Sequence, residues 1–308
     1  NDPVLHYNHA VLLLLAEQFE LGFREFEWRL AHPDPRFRPR DFEAPRWKGE
    51  PRDRKTLLIH AEQGLGDTLH FARFVSAAAR TGGPVILQAQ PPLVELLRDS
   101  LDDAPLPPFD LQVPLMSLPH ELRTTIATIP ADMPYLKAAP TKAREWQQRL
   151  AAFSGLKVGI VWSGNPSHRQ DQKRSLPAAA ILPRLQLPGV QLFSLQKDIR
   201  DSDQAVLAGL GEHVVDLAPQ LADFADTAAA VSALDLVISV DTAVAHLAAA
   251  LAKPTWILLP HVLDWRWFYD RADTPWYPTA RLFRQPRPLD WASVLDRLAV
   301  ELPHAASG

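Results

Sequence analysis

The chain has 308 residues, of which 47% are hydrophobic and 22% charged, the make-up of an ordinary globular protein. A formal net charge of -4 argues against a polyanion-binding surface, and so against nucleic acid as a partner. The absence of cysteine excludes disulfides, thiolate metal sites and cysteine nucleophiles, and fits a reducing, cytoplasmic setting. No apolar run approaches the roughly 20 residues of a membrane span, and no signal peptide is expected. The first residues are Asn1-Asp2-Pro3 without a Met, so the chain reads as cut from something longer. Its length suits two domains of about 100–150 residues each. Twenty-nine prolines against 13 glycines point to rigid connections.

Residues 8–30 carry Ala10, Leu13, Leu14, Phe19, Phe23, Phe26 and Leu30 at helical spacing, and two helices joined at Gly22 are the simplest account. The string resembles the last unit of a tetratricopeptide array; an amphipathic hairpin packed on the next domain fits equally well. Residues 33–54 form an irregular Pro- and Arg-rich connector. A strand follows at Leu57-Leu58-Ile59, then Gly64-x-Gly66-Asp67 and a helix. A dinucleotide fingerprint fails here, because Asp67 occupies the place a pyrophosphate needs and the next strand, residues 84–89, ends without a ribose-binding acid. Gly64 and Gly66 are expected to turn the backbone sharply and bring Asp67 to the sheet edge. Taken alone, Asp67 reads first as a helix cap. Residues 101–140 are Pro-dense, with a brief helix near 118–124. An amphipathic helix covers 142–153, and the domain boundary is expected at about 140–155.

The second domain opens on a strand at 157–162 that runs into Ser163-Gly164-Asn165-Pro166. A polar loop with His168, Arg169, Lys173 and Arg174 leaves that strand end; a basic loop by itself reads as solvated. Strands follow at 190–195, closing in Gln196-Lys197, and at 214–217, with a helix over 224–234. Residues 236–240 are apolar and β-branched, the composition of a strand buried on both faces. Asp241 and Thr242 break the run, and Val244, Leu247, Ala248 and Leu251 mark a helix. The N–H groups of such a turn, with the helix dipole behind them, suit a phosphate, although Asp241 as a plain helix cap is an equal reading. Alternating strands and helices argue for a parallel sheet covered on both faces. The stretch 261–285 is rich in Trp and Arg and either stacks on a sugar or base or staples a loop to its domain; the staple is the simpler reading. A last amphipathic helix covers 290–302.

The strings LIHAEQGLGDTLHFARF, VGIVWSGNP, RSLP, FSLQK and ISVDTAVAHLAAAL, with the aromatic stretch, resemble the glycosyltransferase domain found behind bacterial tetratricopeptide arrays. That domain is similar to glycosyltransferase family 9, the lipopolysaccharide heptosyltransferases. The resemblance runs from Lys55 to Leu302 and implies an α/β protein of GT-B fold, two Rossmann-like domains facing a cleft. The expected division is a helical segment 1–35, an acceptor domain 36–145 and a nucleotide-sugar domain 146–308 whose last helix packs back on the first. By position, Asp67 matches the family's general base. Gly64, Gly66, Ser163, Asn165, Arg174, Gln196, Lys197, Asp241, Thr242, Ala243, Val244 and His246 fall at the positions that would hold the nucleotide-sugar donor. Arg174 stands where the heptosyltransferases carry a phosphate-binding Lys, and a guanidinium there can make a two-pronged contact. The implied reaction is inverting and needs neither cofactor nor metal, and the acceptor is a glycan, lipid or protein. Ala243 departs from the family's Gly, and the Asp264–Trp267 string lies outside its pattern, so a heptose donor is not implied. Two other readings remain: a scaffold or glycan- or nucleotide-binding module without turnover, and a sugar-nucleotide isomerase on the same fold.

Overall fold

The computed structural model describes residues 2–97, 106–262 and 264–305. The start of the Pro-dense stretch, 101–105, lies outside them. The chain forms two compact units, Asn1–Tyr135 with Asp264–Trp276, and Leu136–Leu263 with Tyr277–Gly308. The division differs from a single break near 140–155 because a piece of late chain belongs to the first unit.

In the first unit three strands, β1 (Leu57–His60), β2 (Val85–Gln88) and β3 (Leu111–Pro114), pair in the order β2-β1-β3, all parallel. β1 lies in the middle with all four residues buried, as its unbroken apolar composition requires. The helix after β1 runs only over Leu65–Phe71, then tightens to a 3-10 turn at Ala72–Phe74. Buried Arg73 donates from Nε to the His70 carbonyl at 2.9 Å, an oxygen that a continued α-helix would use for its own ladder. Two helices, Pro3–Leu15 and Phe19–Phe26, open the unit. Their junction is at residues 16–18, where Glu17 is left-handed (φ 61°), and not at Gly22. Gly22 lies inside the second helix, where a Cβ would come within 2.7 Å of the Leu14 side chain. Its smallness serves helix contact and not the turn. Phe19, Phe23 and Phe26 are buried against Trp265 and Trp276. Those indoles also meet Phe71 and His70. The Trp-rich stretch is therefore a staple, and it closes an aromatic core in the first unit.

In the second unit six parallel strands stand in the order β6-β5-β4-β7-β8-β9. They are β4 (Leu156–Val161), β5 (Val190–Ser194), β6 (Val214–Asp216), β7 (Leu236–Val240), β8 (Thr255–Leu259) and β9 (Ala280–Arg284). Counted within the unit this is 3-2-1-4-5-6, the doubly wound dinucleotide-fold order. β7 is buried at all five positions. β9 was not expected, since Arg281 and Arg284 break its apolar run; it sits at the sheet edge, where the exposed Arg281 reaches solvent. One face is covered by Ile181, Leu182 and Leu185 together with Val294, Leu295, Leu298 and Leu302. The other is covered by Trp146, Leu150, Ala229, Ala230 and Ala248. The closing helix, Trp291–Ala305, expected to return to the first domain, thus packs on the second unit's own sheet, because its apolar residues share one stripe. Among the described residues no helix is long and apolar enough to cross a membrane.

His60, at the end of β1, is 2% exposed, and its Nε2 lies 3.1 Å from Gln112 Oε1 while Nδ1 has no partner among the described residues. Burial, only partly opposed by the Gln112 hydrogen bond, pulls its pKa down to about 4. The unfolded chain takes up this proton near pH 6.5 and the folded one only near pH 4. Stability from this group is therefore complete above pH 6.5 and falls by about 3 kcal/mol as pH drops toward 4. Urea melts across that range should show the loss, and His60→Phe should flatten it.

Candidate functional site

In a sheet of this order the connections from β4 reverse direction, so the ends of β4 and β7 part and leave a crevice where ligands of open α/β sheets bind. β4 runs into Trp162-Ser163-Gly164, and β7 into Asp241-Thr242. Arg174, on the short helix Asp171–Arg174, joins the two ends. Its Nη1 donates to the Asp241 carbonyl at 2.9 Å. Its guanidinium lies over Gly164, where a Cβ would stand 2.6 Å from Nη2 and 2.8 Å from Cζ and Nε. Arg174 Nε makes no hydrogen bond among the described residues, and the nearest carboxylate, that of Asp171, is 3.9 Å away.

The loop that carries Arg174 is tied down by its own polar contacts. Gly164 N–H donates to Ser175 Oγ at 2.9 Å, Ser175 Oγ donates to Asp171 Oδ1 at 2.7 Å, and Arg200 pairs with Asp171 Oδ2. Gln196, at the end of β5, accepts from the amides of Trp162 at 3.2 Å and Ser163 at 3.0 Å. Asp203 accepts from Trp162 Nε1 at 2.8 Å and from the Ala178 amide at 3.0 Å. Ser163 is buried, with no hydrogen-bond partner for Oγ among the described residues, which leaves a hydroxyl available beside the guanidinium's loop.

The helix after β7 is Ala243–Ala250, and its N-cap is Thr242. The expected cap, Asp241, does not cap it. The Asp241 carbonyl accepts from Arg174, and its Oδ1 lies 3.9 Å from His246 Nε2. Thr242 does not cap with its side chain either; its Oγ1 sits 3.0 Å from Ser239 Oγ. The first bond of the helical ladder is His246 N–H to the Thr242 carbonyl at 3.3 Å, so the amides of Ala243, Val244 and Ala245 precede it, as helix-start donors do. No acidic residue stands in this first turn. His246 is buried, with Nδ1 2.9 Å from the Tyr277 hydroxyl.

Of the residues predicted for the donor, Ser163, Arg174, Gln196, Asp241, Thr242, Ala243 and Val244 gather at the ends of β4, β5 and β7. His246 lies one turn further into the helix. Lys197 donates to the carbonyls of Ala218 and Leu221 and fastens the loop after β6. Exposed Asn165 accepts from the Ser167 amide at 2.9 Å, a local turn. Gly64 and Gly66 belong to the first unit. Sequence reasoning passed over Asp171, Arg200 and Asp203, whereas Gly164 and Ser175 stood in the quoted VGIVWSGNP and RSLP strings.

In the first unit Gly64 caps the helix Leu65–Phe71 with an extended backbone, φ −87° and ψ 165°. The left-handed residue of the turn is Gln63, φ 55°, so the glycines do not make the turn that was expected of them. Gly64 matters for its missing Cβ, which would lie 3.2 Å from Asp67 Oδ2. That oxygen accepts from the Gly64 amide at 2.9 Å. Asp67 is therefore a cap, and it is more than a cap, since Oδ1 pairs with Arg266. Burial pushes its pKa up, and Arg266 and the Gly64 amide offset this in part. A separate cavity of about 720 Å³ on the first unit is lined by Phe23, Arg24, Arg46, Lys48 and Arg123, among others, and includes none of the site residues. Among the described residues no group of three or more His, Asp or Glu is placed to hold a metal ion.

The family model of glycosyltransferase family 9 (heptosyltransferase) matches residues 128–258, a span that holds β4 to β7, most of β8 and the Arg174 loop. A glycosyl transferase family 9 structure from Veillonella parvula covers 83% of this chain and 97% of its own, with a TM-score of 0.57 at 9% identity. The glycosyltransferase TibC from enterotoxigenic E. coli covers 82% of this chain and 78% of its own, with a TM-score of 0.51 at 12% identity. At these identities the likeness is one of fold: mixed α/β with parallel sheets, as in the GT-B glycosyltransferases. Protein FlbA of Caulobacter vibrioides is 26% identical over 97% of this chain, which spans 55% of FlbA's length. Together the family match and the shared fold support a glycosyltransferase.

Gly164→Ala should destabilise the second unit by about 1–3 kcal/mol, the range for overpacking. The cost should shrink when Arg174 is already Ala, since the clash is with the guanidinium. Denaturant melts of the two single variants and the double variant measure the coupling; strict additivity would contradict the contact.

Proposed function

We propose that the chain transfers a sugar from a nucleotide-diphosphate sugar to an acceptor hydroxyl with inversion at the anomeric carbon, the donor being held by the second unit. The observation that carries this reading is the Arg174 guanidinium bound between the ends of β4 and β7, at the switch point of the 3-2-1-4-5-6 sheet. A helix start attracts an anion by only about 0.3–2 kcal/mol, too little to hold a diphosphate. Arg174 adds a full charge with unused N–H directions, and Ser163 Oγ and the amides of Ala243 and Val244 add neutral donors. Positive charge from these groups can balance the departing nucleoside diphosphate, which is why the reading needs no divalent ion.

Asp67 then serves as the base. Its carboxylate takes the proton of the acceptor hydroxyl, and the oxygen bonds to the anomeric carbon. The carbon–oxygen bond to the diphosphate breaks, with its electron pair leaving on the phosphate. One displacement gives inversion. The acceptor is a hydroxyl of a glycan, lipid or protein, and the tetratricopeptide resemblance of residues 8–35 goes with a chain that presents or selects it. A second reading, a module that binds without turnover, is favoured by one observation: both Asp67 oxygens already have partners, the Gly64 amide and Arg266.

Two measurements test the proposal. Arg174→Ala should weaken nucleoside diphosphate binding about 10–100-fold, the worth of a hydrogen bond to a charged group, and leave nucleoside binding unchanged in calorimetry, with or without a chelator. Equal losses for the two ligands would assign Arg174 to the fold alone. Asp67→Asn should lower turnover about 100- to 10,000-fold at unchanged donor affinity. In the wild type the acid limb of the rate profile should lie above the ordinary carboxylate value, because the raised Asp67 pKa leaves the base protonated to higher pH. Turnover at the wild-type rate in Asp67→Asn would overturn Asp67 as the base, whereas no transfer in the wild type with donor binding intact would leave only the binding module.

A further inference from the structure

Arg266 has no counterpart in the motifs that led to Asp67, yet it is the group in closest contact with it. It arrives on the excursion Asp264–Trp276, about 200 residues later in the chain. Its Nη2 pairs with Asp67 Oδ1. Its Nη1 lies 3.2 and 3.3 Å from the two Asp264 carboxylate oxygens, and Asp264 Oδ1 also accepts the Arg266 amide at 2.9 Å. The guanidinium carbon sits 4.5 Å from the Trp265 ring centroid and 5.8 Å from that of Phe71. The side chain is 10% exposed, whereas that of Asp67 is 22% exposed. The arginine is therefore held by a carboxylate, an indole and a phenyl ring, and the aspartate is the more exposed of the pair.

We propose that Arg266 is a positioning residue that holds the Asp67 carboxylate in a fixed orientation and charge state for its work as base. The inference rests on the reading of Asp67 as that base. Oδ1 is met by Arg266 and Oδ2 by the Gly64 amide, so both oxygens have a set direction. Each oxygen keeps a second lone pair, and one of these receives the acceptor proton along a set direction. Buried without a cation, a carboxylate is driven toward its neutral form, which cannot take a proton. Arg266 opposes that drift. Asp264 in turn keeps Arg266 from binding Asp67 as an undivided ion pair, which would leave the base too weak. Other charged or titratable groups around the pair include Glu62 in the turn after β1, held by Arg29, Tyr7 on the first helix with Arg36 beyond it, and His70 on the helix of Asp67, its ring 6.2 Å from that of Trp265.

The experiment uses the full chain and reads both ionisation and rate. Carboxyl-carbon NMR titration, with Asp67→Asn to assign the signal, follows Asp67 directly. Arg266→Met should raise its midpoint by about 1–3 pH units and move the acid limb of the rate profile equally. Turnover at neutral pH should fall about 10–100-fold, the scale of a misplaced catalytic group, with the donor KM unchanged. Arg266→Lys keeps the charge but loses the planar fork and the stack, so the midpoint should return while turnover stays low. Asp264→Asn should shift the midpoint the opposite way, downward, because Arg266 then serves Asp67 alone; this variant changes a partly exposed residue and carries the test if the Arg266 variants do not fold. An unchanged midpoint in Arg266→Met, or in Asp264→Asn where only that variant folds, would overturn the inference. Wild-type turnover in Asp67→Asn would instead overturn the role of Asp67 as base, while the midpoints would still report on the pair.

Discussion

The second unit depends on one guanidinium held between two strand ends. Arg174 is largely buried, and a buried cation is tolerated only where its N–H groups find acceptors. One is met by the Asp241 carbonyl, and space for the group exists because residue 164 has no side chain. The carbonyl it uses belongs to the residue just before the N-cap of the helix Ala243–Ala250. The same contact therefore sets where the charge lies and where the first helical amides begin. The loop between them is stiffened from below by Ser175, Asp171 and Arg200, which fixes the position of the Arg174 guanidinium.

The first unit solves a similar problem with more charges. Arg29 is fully buried and reaches Glu27, Glu62 and Ser117 at 2.7–2.8 Å. Arg46 joins Glu27 to Glu121. Burial works against the Arg29 charge, and the two carboxylates more than compensate, so that its pKa is raised. Removing one member of such a network would strand the others, which is far more costly than the net worth of the whole. Asp67 and Arg266 lie close to this network through Glu62, and the arrangement keeps polar chemistry ordered in an otherwise aromatic interior.

That interior joins the opening helices to the excursion at 264–276. Phe19 and Phe23 from the opening helices meet Trp276 and Trp265 from the excursion, and the excursion leaves and rejoins the second unit between β8 and β9. The helical segment is thus part of the first unit's core through Ala10, Leu14, Phe19, Phe23 and Phe26, while Leu5, Leu12 and Leu21 stay exposed.

Much of this was legible in residue order. Buried strands write themselves as unbroken apolar runs, so β1, β4, β5, β7 and β8 could be read directly, and the turns after β4 and β7 announced themselves by Ser163-Gly164 and Asp241-Thr242. Asp67 and Arg174 were marked by the resemblance to glycosyltransferase family 9, since local chemistry alone read the one as a helix cap and the other as part of a solvated loop. What residue order could not hold were contacts between distant parts. Gly22 looked like a hinge and is a helix contact; Asp241 looked like a cap and lends its carbonyl to Arg174; β9 was hidden by its arginines. The final helix has an apolar stripe that fits any covered sheet, and only packing chose the second unit's. Arg266 was visible only as one charge in an aromatic run, because an ion pair spanning nearly 200 residues leaves no periodicity. Short-range patterns determined the elements and their turns, since these depend on neighbours along the chain; tertiary packing decided which charges meet, since that depends on neighbours in space.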